Sequence, residues 1–457
     1  MQVRRYLNFL KNVLLFLCLI VLLFCNKGVC VETKYFRKVE WNLGQEMEGR
    51  YLITEQEANT SNCYRFIFND KNLLEKVEHL KYGKLWPDSY FGEEVAKVTV
   101  ERLPNFIIYT YFNSRGFPTE DENGVYRTRV KVDSSGNPIA WFSYDKEDKL
   151  TANNNGVAQY CFLLDKSSRP ITSMRFDEKG NRISDNEGVW ERRFKYDTNG
   201  NKIESAGYGS DKILLEDNNG VAIYRRRVDQ NKNVIQISYY GSYGYLKDLT
   251  EGGFAIVKLK HDGNGNIVEE SYYGIDERIK DRADFGYSIK RNKYDVQGNI
   301  IETTYYGKDG QLKQRSDIGV AVVRYTNRSV NEELECEITY YGIDERPIHR
   351  SDLGIFKIVK KYDKYGSMIE ESYHGIDGQL KEIPDGYAII RWEYDSRGNY
   401  IEEKYYGIDE RPKERSGTKV ARKQWKYDNS GNFIEYLEFN SEGNLIKQEE
   451  EQKRLND

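Results

Sequence analysis

Along this chain the turn sequence Tyr-Asp, two variable residues, then Gly-Asn returns every 32 or 33 residues, and no other feature restricts the fold as strongly. Clear copies begin at Tyr196, Tyr294, Tyr394 and Tyr427 (YDTNGN, YDVQGN, YDSRGN, YDNSGN). Aligning the turn Asp gives Asp133, Asp165, Asp197, Asp229, Asp262 and Asp295, a divergent unit near Asn327, then Asp363, Asp395 and Asp428. Glu101 and Asn69 fall one and two periods earlier. A second turn keeps the same step from Asn113 through Gly209, Gly241, Gly274 and Gly407 to Asn440. Two markers agreeing on one step of this size mean an array of stacked, similar units.

Within one unit, Gly386 to Gly407 reads GYAIIRWEYDSRGNYIEEKYYG. An Asp opening a type I turn, with Gly at the fourth position where the backbone must be left-handed, predicts a tight hairpin closed by a glycine bulge. Ahead of it Ala388, Ile390, Trp392 and Tyr394 alternate with Tyr387, Ile389, Arg391 and Glu393, the period of two shown by a strand with one better-buried face. Ala158, Tyr160, Phe162 and Leu164 continue that face in another unit, as do Ala255, Val257 and Leu259. Each unit is expected to hold two strands of about eight residues and a connection with a further turn, such as DNNG from Asp217 or PDG from Pro384. A lone hairpin buries too little to be stable, so the units must lean on one another. The expected fold is all-β: tandem β-hairpin repeats of period 32–33 stacked into an elongated solenoid-like or curved antiparallel array. Residues 66–446 form the array, residues 31–65 an N-terminal cap, and residues 447–457 a charged tail that blunts the last edge. The unit holding TNRSVNEELECE carries two or three extra residues and lacks the Asp-Gly pair, so a bulge or kink is expected there.

The mean hydropathy of −0.78 is polar, but 14% aromatic residues, 37 of them Tyr, are too much stacking surface for a disordered chain. Arg4, Arg5 and Lys11 form a basic start ahead of an apolar run of thirteen from Val13 to Cys25. That run is short for a membrane span and suits an export signal, so residues 1–30 are expected to be a signal peptide, with lipid attachment at Cys25 as the alternative to cleavage after Cys30. The expected address is secreted or cell envelope, with no stable membrane span in the mature chain. Without Arg4, Arg5, Lys11 and Lys27 the net charge moves from −4 to −8, and such a surface does not seek nucleic acid. Cys63, Cys161 and Cys336 are too scattered for a disulfide framework or a metal site.

The YDxxGN turns with tyrosine-rich flanks resemble the tandem YD repeats of bacterial RHS-type and wall-associated surface proteins over about residues 65–448. The segment YYGKDGQL from Tyr305, echoed by YHGIDGQL from Tyr373, is similar to aromatic-glycine cell-wall-binding repeats. RHS-type units are shorter, tend to carry Arg where Asn201 or Asn299 stands, and usually precede a toxin domain, which is not expected after Lys447. The resemblance implies an exported bacterial β-repeat scaffold.

The candidate ligand-binding residues are Tyr240, Tyr273, Tyr306, Tyr341 and Tyr406, the second members of twin tyrosines that begin at Tyr239, Tyr272, Tyr305, Tyr340 and Tyr405. Neighbours on a strand face opposite ways, so one Tyr of each pair packs inward and the other forms a ladder with one rung per unit. Such a ladder suits the sugar rings of a cell-wall glycan or the surface of a partner protein. It also suits a purely structural role, tying units together by cross-strand contacts of ~0.2–1 kcal/mol each. Glu204, Glu302, Glu370, Glu402 and Glu435 recur once per unit rather than as the clustered pair that glycoside hydrolysis needs, and pairing with basic residues such as Arg193, Arg291 and Arg391 is expected. HDGNGN from His261 places Asp262, Asn264 and Asn266 like the start of an EF-hand, but Ile267 and Tyr273 stand where its Gly and Glu belong. No catalytic, metal or cofactor motif is present, so none is assigned. The expected function is a non-enzymatic exported scaffold that binds a cell-wall glycan or surface protein. The alternatives are a purely structural or protein-interaction scaffold and a glycoside-active enzyme.

Overall fold

The computed structural model describes residues 31–41, 46–88, 90–330 and 333–450. The expected export signal and the end of the charged tail lie outside the described residues. The described residues hold 28 strands in a single antiparallel sheet and one short helix, Glu55–Ala58.

The hairpin Glu191–Tyr196 and Lys202–Tyr208 shows how the repeat sequence makes its turn. Asp197 Oδ1 accepts from Asn199 N (2.9 Å) and Asn201 N (2.8 Å), and its Oδ2 accepts from Asn201 Nδ2 (2.9 Å). Asp and Asn are therefore both fixed by local hydrogen bonds. The Gly200 amide donates to Asp197 O (3.1 Å) at φ 85, and the register shifts between Lys195 and Tyr196, which is the expected bulge. Where Gly is replaced, Ser168 (φ 61) and Lys232 (φ 62) still take the left-handed conformation.

Six residue pairs join the two strands of this hairpin, whereas three (Glu204↔Arg225, Ser205↔Tyr224, Ala206↔Ile223) join it to the next. The second turn sits in the connection, where Tyr208 bridges Leu214 and the Gly209 amide donates to Ile213 O (2.9 Å). The sheet starts with Glu48–Ile53 at one edge, then Glu32–Glu40, Asn62–Phe68, Leu74–Lys81 and Val95–Leu103. From there it follows chain order to Leu445–Glu450 at the other edge, so the last strand reaches into the charged tail.

The divergent unit differs from expectation. Its strands Val322–Val330 and Glu333–Tyr341 pair without interruption from Val322↔Tyr341 to Val330↔Glu333. Without the Asp-Gly turn there is no residue to bulge out, so this is the hairpin that keeps strict register while its YD neighbours shift.

The array also curls. Tyr51 OH donates to Asn233 Oδ1 (2.6 Å), Asn299 Nδ2 donates to Tyr82 OH (3.0 Å), Arg115 pairs with Asp363 (2.7 Å), and Lys146 donates to Asn432. Successive N-terminal segments thus meet successive YD turns of later units, at sequence separations from 182 to 286 residues. A straight stack offers no such contacts; a sheet twisted and coiled onto itself does. The curl gives the sheet an inner face, where the largest buried cluster lies (Tyr272, Tyr305, Tyr340, Tyr373 and Tyr405 among its members), and an outer face.

Candidate functional site

The outer face carries the five predicted tyrosines, and each ring lies under a cation: Arg225 over Tyr240 (4.4 Å), Lys258 over Tyr273 (4.1 Å), Arg291 over Tyr306 (4.6 Å), Arg324 over Tyr341 (4.4 Å) and Arg391 over Tyr406 (4.8 Å). The rungs are half-buried and aligned from unit to unit. Their faces are engaged by the guanidinium or ammonium of the leading strand two residues away in register.

The recurring acids complete this arrangement. Glu302 meets Lys293 of its own hairpin (2.6 Å) and Arg324 of the next (2.9 Å), and Glu204, Glu269 and Glu370 repeat the pattern with Lys195 and Arg225, Lys260 and Arg291, Lys361 and Arg391. The expected pairing holds for Arg391; Arg291 pairs with Glu269, which like Glu370 reaches forward across the seam between units, and Arg193 pairs with Glu191 two residues back on its own strand. Burial pushes the Glu302 carboxyl up, yet hydrogen bonds from Lys293 and Arg324 outweigh it and hold it below its ordinary value. Glu402 pairs with Arg422 and Lys404, and Glu435 with Lys426. In the HDGNGN segment, Asp262 Oδ1 accepts from Asn264 N (2.9 Å) and Asn266 N (2.8 Å), so this carboxylate serves the turn.

The inner face divides in two. From Tyr224 onward it is filled by an aromatic column: Tyr224–Tyr239 (5.6 Å between centroids), Tyr239–Phe254 (6.0 Å), Phe254–Tyr272 (4.8 Å), Tyr272–Tyr287 (5.9 Å) and Tyr287–Tyr305 (4.8 Å). It resumes as Tyr373–Tyr387 (6.0 Å) and Tyr387–Tyr405 (4.9 Å). Arg282, Arg315 and Arg350 lie over Tyr272, Tyr305 and Tyr340, each fixed to the Asp two residues on.

In the three preceding units the inner member of the twin tyrosine is missing. Ser143, Arg175 and Gly207 occupy its place, just ahead of Tyr144, Phe176 and Tyr208. What the column loses there becomes a cleft of about 610 Å³, within the ~300–1,000 Å³ typical of small-ligand sites. Its floor is the sheet from Thr128 to Arg226, and Trp41, Tyr90 and Phe91 close one end. Trp41 and Trp141 face each other with centroids 5.2 Å apart.

Four Asx turns rim the cleft, at Asp121, Asn153, Asp185 and Asp217. Each side-chain oxygen accepts from amides two and four residues on, as Asp217 Oδ1 does from Asn219 and Val221 (3.0 and 3.1 Å). Burial raises the Asp121 carboxyl to about 6 against those same hydrogen bonds. At the far end burial, then the neighbouring Arg226, lower the Lys202 ammonium to about 8.

Two donors in the cleft have no acceptor. Arg175 is 4% exposed; its Nε lies 2.8 Å from Asp185 Oδ2 but out of line for a hydrogen bond, and its Nη1 has no partner. Trp141 Nε1 is likewise buried and unpartnered. Buried donors are normally satisfied, so these two are exceptions in the wall of the cleft. Sequence reasoning passed over this cleft, although the break in the twin-tyrosine series at Ser143, Arg175 and Gly207 was there to be read.

No protein-family model matches the chain, and no curated protein matches its sequence. Solved structures to which the chain is similar include TcdB2-TccC3-TEV (TM-score 0.29, 10% identity, 92% of this chain and 25% of that one) and the Photorhabdus luminescens Tc holotoxin pore (TM-score 0.28, 9% identity, 92% and 25%). A crystal structure of a eukaryotic initiation factor is similar at TM-score 0.23 and 10% identity, over 92% of this chain and 96% of that one. The chain spans about a quarter of the length of the first two.

Proposed function

We propose that this chain is a non-catalytic, exported binding scaffold: its stacked hairpins act as a rigid curved wall, and the cleft on the inner face takes the ligand. The observation that carries this reading is the interruption of the aromatic column at Ser143, Arg175 and Gly207, beside which the cleft of about 610 Å³ opens. A scaffold selected only for stability would fill that space, as the later units do. The apolar run from Val13 to Cys25 supports export to the envelope or beyond. Cations over Tyr240, Tyr273, Tyr306, Tyr341 and Tyr406 favour the tying role for the outer ladder over stacking on a cell-wall glycan.

The test compares two variants on a panel of soluble oligosaccharides and peptides. Tyr306→Ala is expected to lower stability and leave binding intact. Gly207→Tyr is expected to abolish binding in a folded protein. A folded Tyr306→Ala protein that loses glycan binding reverses the assignment and returns the site to the ladder.

A second reading, a protein-docking scaffold, draws on one further feature. Ile275, Ile343, Ile376 and Ile408 occupy one position of the second turn and are each at least half exposed, in a row along one edge of the array. Replacing all four by Ser tests it by the loss of a surface-protein partner without loss of cleft binding.

A further inference from the structure

Resting on the reading that the cleft is the binding site, we infer that its ligand is an acidic saccharide, a short run of sugar rings bearing carboxylates. Three features of the cleft converge on that class.

The first is charge. Arg192, Lys202 and Arg226 gather at one end of the cleft, where Lys202 and Arg226 also line an adjoining pocket with Glu40, Glu46 and Glu48. Arg192 is matched by Glu187 at 3.1 Å, but among the described residues neither Lys202 nor Arg226 makes an ion pair within 4.0 Å. The crowding of like charges shows in the Lys202 ammonium, which burial and then Arg226 make easier to deprotonate, with Glu40 opposing. A carboxylate entering here relieves that repulsion and forms charge-assisted hydrogen bonds.

The second is the supply of hydrogen-bonding groups. Ser143, Ser173, Ser205 and Asn155 line the cleft with short groups that both donate and accept, beside the Arg175 and Trp141 side chains. Sugar hydroxyls and ring oxygens meet such a set. An extended peptide is recognised chiefly through its backbone along an open strand edge, whereas the floor of this cleft is the face of a sheet whose backbone groups are already paired.

The third is shape. Trp41, Trp141 and Tyr224 present flat apolar walls, which suit the C–H faces of pyranose rings, while Phe194 and Tyr160 lie under Lys202 and Arg175. At the end away from the cations, Asp121 and Glu122 repel a carboxylate and accept from hydroxyls, so the ligand lies with its acid groups toward Lys202.

The experiment titrates the folded full chain with tetragalacturonate, its methyl ester and tetraglutamate, by calorimetry. Tetragalacturonate is expected to bind, with the methyl ester weaker by roughly tenfold or more. Lys202→Met should weaken the acid by a similar factor and leave the ester unchanged, and Arg226→Gln should do the same should Lys202→Met fail to fold. Acid binding by the unaltered chain should also fall as pH rises through about 8, where Lys202 loses its charge, and this dependence should vanish in Lys202→Met.

The inference is overturned if none of the probes binds, if the ester binds as well as the acid, or if tetraglutamate binds as tightly as tetragalacturonate. In the last two cases loss of binding in Gly207→Tyr keeps the cleft as the site and removes only the ligand class. Persistent tetragalacturonate binding in a folded Gly207→Tyr protein sinks the cleft itself.

Discussion

The inner face over residues 128–226 and the inner face over residues 239–405 are built from similar hairpins, most of them turned by the same Asp and Asn, yet one is open and the other solid. In the later units Tyr272, Tyr305, Tyr373 and Tyr405 are buried and stack through Phe254, Tyr287 and Tyr387, and Tyr340 is buried beneath Arg350. In the earlier ones a Ser, an Arg and a Gly take the equivalent positions, and polar Asx turns replace Arg-centred ones. The backbone repeat therefore decides the architecture, while one inward position per unit decides whether that architecture is filled or hollow. Stability and binding are written on different stretches of a single sheet.

The strongest test of this contrast truncates one ring in the solid region. Tyr405→Ala removes a side chain only 2% exposed and packed on Tyr387, and is expected to cost ~3–5 kcal/mol in chemical denaturation. A loss below ~1 kcal/mol would mean that the column is not what holds the later units together.

Next in size is the reverse operation, Gly207→Tyr. Gly207 has ordinary backbone geometry, and a Cβ there meets Val189 and the Leu215 carbonyl at 3.4 Å, so a side chain fits. Its ring is expected to join Tyr224 and raise stability by about 1 kcal/mol while closing the cleft. A destabilised variant would show that the hollow is shaped by strain rather than by a missing ring.

The outer face, which runs alike over both regions, should respond less. Glu302→Gln unpairs Lys293 and Arg324 and is expected to cost under ~1 kcal/mol, shrinking as salt is added. Glu204, Glu269, Glu302 and Glu370 are all held below their ordinary value in the folded chain, where pairing outweighs burial. Their contribution is therefore present above the unfolded pKa of 4.5 and is lost as pH falls through the lower folded values. An acid titration of the melting temperature should show stability declining below pH 4.5 in the parent and less steeply in a variant carrying Gln at all four positions.

The smallest effect belongs to the second turn. Glu277 sits at φ 59 where the equivalent residue of another unit is Gly310, so Glu277→Gly should stabilise by up to ~1 kcal/mol by relieving a left-handed side chain.

How much of this was legible in the sequence depends on how local the physics is. The YD turn was, because Asp197 and Asn201 satisfy each other within five residues. So was the alternation between steps of 32 and 33, once its cause is known. Units of 33 carry an extra residue in the inner connection, where the Gly253 and Gly286 amides reach back four residues to Leu249 and Arg282. Units of 32 close over three, as Gly188 does on Asp185 and Gly386 on Ile383.

The covered state of the outer rings was half legible. Tyr306 alternates outward as expected, but the cation over it comes from Arg291, diagonally across the hairpin, and cross-strand diagonals are invisible until the register is known. Of the curl, a curved array was one of the expected alternatives, but its contacts were not legible, since Tyr51 and Asn233 are 182 residues apart and contacts of that kind leave no period behind.

That curl sets a limit on how the chain can change its length. In a straight array a whole repeat can be lost or duplicated and each survivor keeps its neighbours. Here, excising one 32-residue unit between Tyr82 and Asn299 would leave every hairpin able to form yet bring the wrong turn beneath Tyr82, and would move Asp363 out of reach of Arg115 in the same stroke. Copy number is thus locked by the pitch of the coil, and a shortened chain should be penalised far more than the loss of a single hairpin.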